Sequence, residues 1–473
     1  MAALRLSAPP DAPFSFIVEL EAGSHPGAAD SLTVAEGSAR RTYGLGARQQ
    51  DDYLDLFAAV ARDFGTRAPL ARQPLHLPPD DGRLTPRLTE AIAPEILYGY
   101  GDPSVLRVLE PDGGFGWRMV VTSNDAPDVF PILSSRDLDH WRLAGFAFPQ
   151  GHAPAWTLTG ENLADFWAPE MHRVGQEYWL CYAARQKDRA LAIGLARAAA
   201  PEGPFVDNGA PLIGGGVIDP HIVQDASGAP FLLWKEDNNA VWPRRLIALL
   251  RRRGALIAEM FGDAADQRTA SLLAALWGWG EGLEPMEQFF VLQPLIEAAA
   301  DDFATFEARL AELRDAAEPD LAGEITAVRE ATKTKVFAQH LSRDGARLEG
   351  ERIEVLQNDL PWEAHLIEGV WVSEVEGRYV LLYAANDFST PAYGVGVAVA
   401  DAPLGPYRKA EAPLLRSTAA WVAPGHPSIA PGSDGRPLVF LHAYRPGELG
   451  YKAFRALLTT PLTVPLAGLP STG

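Results

Sequence analysis

The chain has a single cysteine in 473 residues, so no intrachain disulfide can staple it and stability must come from a buried core. Cys181 lies in the apolar run Tyr178-Trp179-Leu180-Cys181-Tyr182 and reads as a small core residue. Basic residues are in the minority. Against 61 Asp and Glu there are 41 Lys and Arg, a net charge of −20, which argues against a face for nucleic acid or anionic membranes and fits a neutral partner such as a sugar. The Arg251–Arg253 run reads as a solvated helix face. Long hydrophobic runs are missing as well. No segment reaches the roughly 20 apolar residues that span a bilayer, and the opening MAALRLSAPPDAPFSF has no apolar stretch long enough for a signal peptide. The expectation is a soluble chain acting in the cytoplasm.

Glycine and proline are plentiful and spread along the chain, which suits many turns between short strands. An internal repeat organises them. Gly175-Gln-Glu-Tyr-Trp-Leu-Cys-Tyr-Ala-Ala184 returns as Gly377-Arg-Tyr-Val-Leu-Leu-Tyr-Ala-Ala385. Each copy runs through a Gly-containing strand into a matching turn, Ala200-Pro-Glu-Gly-Pro-Phe205 and Ala402-Pro-Leu-Gly-Pro-Tyr407. Five modules open alike, on Gly101-Asp102-Pro103, Ala168-Pro169-Glu170, Ile218-Asp219-Pro220, Ile367-Glu368-Gly369 and Gly425-His426-Pro427, and most continue into a turn and an apolar strand. Five such modules predict an all-β chain, a five-bladed β-propeller whose innermost strands bring the five polar residues to one axis. Between roughly Asn239 and Ala331 the pattern changes to helical spacing, as in Phe303, Phe306, Leu310 and Leu313. The predicted organisation is an N-terminal accessory segment over 1–90, propeller over 91–238, a helical insertion in the third blade over 239–331, and propeller again over 332–473. Leu272, Leu273, Leu276, Trp277, Trp279, Phe289, Phe290, Leu292 and Leu295 make the insertion apolar for a surface element. That composition predicts packing beside the active-site rim or a homo-oligomer contact.

Asp102, Asp219 and Glu368 open three different blades. Two carboxyl groups flanking a glycosidic bond can hydrolyse it, one protonating the leaving oxygen and the other activating water or attacking directly; a third can keep the acid protonated. With Ser135-Arg-Asp-Leu-Asp-His-Trp141, Trp167-Ala-Pro-Glu170, Trp234-Lys-Glu-Asp-Asn-Asn239 and Gly425-His426-Pro-Ser, these openings form an ordered set. In it the chain resembles glycoside hydrolase family 43, over about Tyr98 to Asn239 and Lys333 to Tyr444. The resemblance implies Asp102 as general base, Asp219 as pKa modulator and orienter, and Glu368 as general acid. It also implies His426 near the pocket floor, close to substrate or to a structural calcium ion on the axis that the chemistry itself does not require. The insertion, the first 90 residues and Val370-Trp371 after Glu368-Gly369 depart from the family pattern and leave the substrate open.

Each residue also has a plainer reading. An Asp before Pro often only starts a turn. Glu170 reads as a structural acceptor, Trp167 as a sugar platform or a core residue, and Lys235 and Asp237 as candidate substrate contacts. The expected activity is exo-acting, on terminal α-L-arabinofuranosyl or β-xylosyl residues with inversion. The alternatives are an endo-acting arabinanase or related furanosidase, and a non-catalytic glycan- or protein-binding propeller. No basic cluster lies near these motifs to hold the phosphate that a phosphorylase needs.

Overall fold

The structure is a computed structural model describing residues 4–22, 29–45, 52–161 and 163–463. The chain divides into two compact units, one drawn from residues 1–75 and 238–333, the other from 76–237 and 334–473.

The larger unit contains five four-stranded antiparallel sheets. Blade I is Ser104–Leu109, Phe115–Val120, Val129–Ser135 and Trp141–Phe148. Blade II is Trp167–Val174, Glu177–Arg185, Leu191–Ala198 and Val206–Asp207. Blade III is Val217–Gln224, Pro230–Glu236, Lys335–Leu341 and Leu348–Gln357. Blade IV is Ile367–Val375, Arg378–Ala385, Gly394–Ala400 and Arg408–Lys409. Blade V is Val422–Pro431, Pro437–Tyr444 and Ala456–Pro461, completed at its outer edge by Thr85–Leu88. The first strands of the blades touch one another in a closed cycle, I to II to III to IV to V and back to I. The chain is therefore a five-bladed propeller, as the repeat predicts.

The closing strand corrects one expectation. Residues 76–90, read as part of the accessory segment, belong to the propeller.

The core lies in the wedges between blades. Trp179 and Cys181 of blade II meet Ile222, Leu232 and Trp234 of blade III; Val223 and Leu233 meet Val370 and Leu381 of blade IV. Trp371 and Val380 meet Ile429 and Val439 of blade V, and Phe440 and Leu457 meet Val105 and Trp117 of blade I. Both faces of a middle strand are thus covered, which is why Val380–Ala385 reads as an unbroken apolar run rather than an alternating one. The sequence repeat has a packing cause. The Tyr182 ring lies over Gly194, where a Cβ would come within 2.4 Å of the ring, and stacks on Trp156. Tyr383 does the same over Gly396 and stacks on Trp362. Both matching turns carry a cis Gly-Pro bond, at Gly203-Pro204 and Gly405-Pro406.

The smaller unit pairs a four-stranded antiparallel sheet, Leu4–Ser7, Phe16–Ala22, Ala29–Glu36 and Ala39–Gly44, with helices from both ends of its sequence. From the N-terminal part comes the helix Asp52–Phe64. From the insertion come Val241–Arg252, Leu256–Met260, Ala264–Gly280, Pro285–Ala300, Phe303–Ala316 and Pro319–Ala331. Ala264–Gly280 packs on the first two strands, and Asp52–Phe64 packs on Pro285–Ala300. Arg67 pairs with Asp266 at 2.7 Å, and the Leu70 N–H donates to Glu297 at 2.8 Å. The insertion is therefore not a separate subdomain. Of its nine marked apolar residues all but Trp279 are buried, so the apolar surface that suggested an oligomer contact is the inside of this unit. No described helix is long and apolar enough to cross a membrane.

Candidate active site

Every blade enters its first strand through a residue with left-handed backbone: Asp102 (φ 54°), Ala168 (φ 44°), Asp219 (φ 55°), Gly369 (φ 55°) and His426 (φ 46°). Four of the five precede proline. In blades II to V the pairing register shifts at this point, a bulge that re-aims a side chain. Such backbone costs non-glycine residues about 1–2 kcal/mol each and gathers at functional sites. At Gly369 the absence of a side chain matters in itself, because a Cβ would lie 2.9 Å from His426 Nδ1.

These five positions form one rung of the axis. Asp102 is buried on it. The Arg455 guanidinium donates to its Oδ1 at 2.9 Å, and the Thr122 hydroxyl donates to its Oδ2. His442 and His426 stand 3.3 and 3.5 Å from Oδ1. The Asp102 N–H donates to His442 Nδ1 at 3.1 Å, which puts that ring's proton on Nε2. Burial alone would push Asp102 up. The Arg455 charge outweighs it, with help from His426, His442 and Thr122, and holds the carboxyl well below the usual carboxylate range. His442 is itself driven far down by burial and by Arg455, so the guanidinium is the charge that matters.

Asp219 and Glu368 are treated differently. Asp219 Oδ2 accepts the Gly369 N–H at 2.8 Å; burial raises its pKa to about 6, against the opposing pull of Lys235. Glu368 stands one residue before its blade's left-handed position. Its Oε1 accepts from the Tyr393 hydroxyl at 2.7 Å, and its Oε2 lies 3.3 Å from Lys235 Nζ. Burial pushes it up, Lys235 pulls it down and Asp219 pushes it up again, with a net rise.

Glu170 does not join them. It lies two residues past its rung position, level with His221, as part of a second rung. His221 Nδ1 is 2.6 Å and His172 Nε2 is 2.9 Å from Glu170 Oε2. The ligand atoms of these three lie within 4.8 Å of one another. They do not suit a metal, because His221 Nε2 accepts the Val372 N–H at 3.0 Å. That leaves the ring proton on Nδ1, the nitrogen a metal would need. A calcium ion on the axis takes six to eight oxygen donors, waters among them, and the buried His426 Nε2, which has no hydrogen-bond partner, could face such a water shell.

Of the remaining candidates, Lys235 joins the carboxylates. Trp167 is half-buried, donates from Nε1 to Asn124 Oδ1 at 3.0 Å and meets Tyr451 edge-on, so its role as a sugar platform stays a proposal. Asp237 is half-buried and close enough to push Asp219 up. Sequence reasoning missed Arg455, His442, Thr122 and Tyr393. Glycine spacing carried a signal for two of them. A Cβ at Gly101 would fall 1.7 Å from Arg455 Cζ, and one at Gly425 would fall 1.9 Å from the Tyr393 ring.

Buried carboxylates pushed toward opposite protonation states, on the axis of a five-bladed propeller, form a site suited to glycoside hydrolysis. The sequence profile of Glycosyl hydrolases family 43 matches residues 94–258 and 323–468, well over half of the chain, and the chain belongs to that family. Over 96 residues it is 29% identical to xylosidase/arabinosidase 43A of Humicola insolens, a match spanning 20% of this chain and 28% of that relative. Its fold is similar to that of a thermostable family-43 glycoside hydrolase, at 23% identity and TM-score 0.52, covering 77% of this chain and 90% of that one. An endo-1,4-beta-xylanase from Bacteroides thetaiotaomicron is similar at 19% identity and TM-score 0.49, covering 79% of this chain and 94% of that one.

Proposed function

We propose that this chain hydrolyses terminal α-L-arabinofuranosyl or β-xylosyl residues by a single displacement with inversion. Asp102, held ionised by Arg455, takes a proton from the attacking water. Glu368, held toward its protonated form by burial, gives its proton to the leaving glycosidic oxygen. Asp219 accepts the Gly369 N–H beside the acid, which ties it to the backbone next to Glu368 and keeps a second negative charge near it. The observation that carries this reading is the opposite treatment of Asp102 and Glu368. The sugar classes are those named for the Humicola insolens relative.

The test is hydrolysis of nitrophenyl α-L-arabinofuranoside, β-xyloside and galactofuranoside, with the first-formed anomer of the sugar read by NMR. The expected result is turnover of one of the first two and release of the inverted anomer. A retained anomer, or hydrolysis of the galactofuranoside alone, would sink the proposal.

A further inference from the structure

Lys235 is the penultimate residue of the second strand of blade III and is 1% exposed. An ammonium that deep needs a carboxylate. Its Nζ lies 3.3 Å from Glu368 Oε2, while Tyr393 holds the other oxygen at 2.7 Å. Asp219 is tied at 2.8 Å to the backbone N–H of the residue after Glu368. The second buried cation, Arg455, is matched by Asp102 at 2.9 Å. Lys235 thus faces a pair of carboxyls with one charge. Taken by themselves, Asp102, Asp219, Glu368, Lys235 and Arg455 are neutral when the Asp219–Glu368 pair keeps one proton, and Asp237 and the buried Asp387 add negative charge around them. The other groups facing the pair are Tyr393 and His426 toward Glu368, and Asp102 and Asp237 toward Asp219; His365, near Asp387, faces Lys235.

We propose that Lys235 is a positioning residue that sets this proton count: its single charge lets one carboxyl of the pair ionise and leaves the other loaded. It also stands 3.3 Å from the carboxylate that Glu368 becomes after donation. The proton passes from Glu368 to the glycosidic oxygen and the water's proton passes to Asp102; between turnovers Asp102 releases its proton to solvent and the pair takes one up. Lys235, read from sequence as a substrate contact, thereby acts through the acid. This rests on the assignment of Asp102 and Glu368 as base and acid.

The test is the pH profile of kcat/KM on an oligosaccharide, whose leaving group is poor, for the wild type, Lys235→Met and Lys235→Arg. Removing the charge moves the alkaline limb, which reports the acid, upward by about 1–3 pH units. Lys235→Arg restores the limb to near its wild-type position. Lys235→Gln keeps a donor toward Glu368 without the charge and serves where Met does not fold. An unmoved limb with a raised KM makes Lys235 a sugar contact and overturns the proposal. Failure of both neutral variants to fold at any pH also overturns it, because a pair able to take up a second proton does not need the lysine to become neutral. Asp102→Asn and Glu368→Gln are assayed alongside. If either turns over the oligosaccharide at a near-normal rate, the base–acid reading fails. If both are inactive and the Lys235→Met limb stands still, only the role of Lys235 fails.

Discussion

The two rungs of the axis hold ionisable side chains two residues apart on the same strands, yet they reach opposite electrical states. On the second rung Glu170 meets only imidazoles. Burial pushes Glu170 up and both rings down, His221 to about 3, so burial there works toward the uncharged form of all three groups. On the first rung, equally buried, Arg455 and Lys235 supply positive charge, and carboxylates there can ionise. Burial by itself removes charge, and reactivity is found where the fold has placed a cation to oppose it.

The contrast can be broken most sharply by paired substitutions. Asp102→Asn and Glu368→Gln each lower kcat/KM on an oligosaccharide by about 10²–10⁴-fold. On aryl glycosides Glu368→Gln loses less, since an activated leaving group needs less protonation. Glu170→Gln leaves the rate within about threefold, because Glu170 lies away from the three carboxyls that do the chemistry and Gln keeps an acceptor for His221. A large loss for Glu170→Gln would merge the two rungs.

Next in size is Arg455→Met, which strands a buried carboxylate and lowers stability by about 3–5 kcal/mol at neutral pH. The folded-state pKa of Asp102 is depressed, so its stabilising share is present above the ordinary Asp value and lost as pH falls through the folded one. The gap between variant and wild type in urea unfolding should therefore narrow as pH falls below about 4. A gap that is constant with pH means that Arg455 acts by packing alone.

Asp219→Asn has the opposite sign. The pKa of Asp219 is raised to about 6, so the folded protein loses stability relative to the unfolded chain as pH climbs from about 4 to 6. Asn cannot ionise, so the variant gains on the wild type over that interval by up to about 3 kcal/mol. Thermal melts at pH 4 and pH 7 read the difference, and a variant that loses ground on going to pH 7 reverses the assignment. The last effect is on the stability of Glu170→Gln. The pKa of Glu170 is raised, so the wild type loses stability as pH climbs above the ordinary Glu value, and the variant gains on it until Glu170 ionises in the folded protein. A difference that is flat with pH means that Glu170 carries its charge in the folded protein as well.

The propeller was legible in the sequence because its packing is repetitive. Tyr182 over Gly194 and Tyr383 over Gly396 force the same residues into equivalent places. The three carboxyls expected at the axis were legible because each stands beside proline or glycine where a blade's first strand begins. Arg455 and Thr122 belong to no repeat, and they act across strands that only the closed ring brings together. The pairing of residues 1–75 with the insertion was hidden for a related reason. Helical spacing announces an apolar face but not what will cover it. Thr85–Leu88 contains Pro86, which is tolerated because the strand is an edge, and it shows no alternation.

That short strand also bears on how the chain folds. Arg87 Nε donates to Thr459 Oγ1 across 372 residues of sequence, so blade V has no outer edge until Thr459 has been made. A nascent chain leaving the ribosome can form the hairpins of blades I and II early, but it carries an open, unpaired ring until then. Closure must then draw together segments 372 residues apart, a high-contact-order step of the kind that folds slowly and exposes strand edges to other chains. Holdase chaperones, or slower translation of the codons for blade V, should raise the soluble yield of this protein more than changes anywhere in its first two blades.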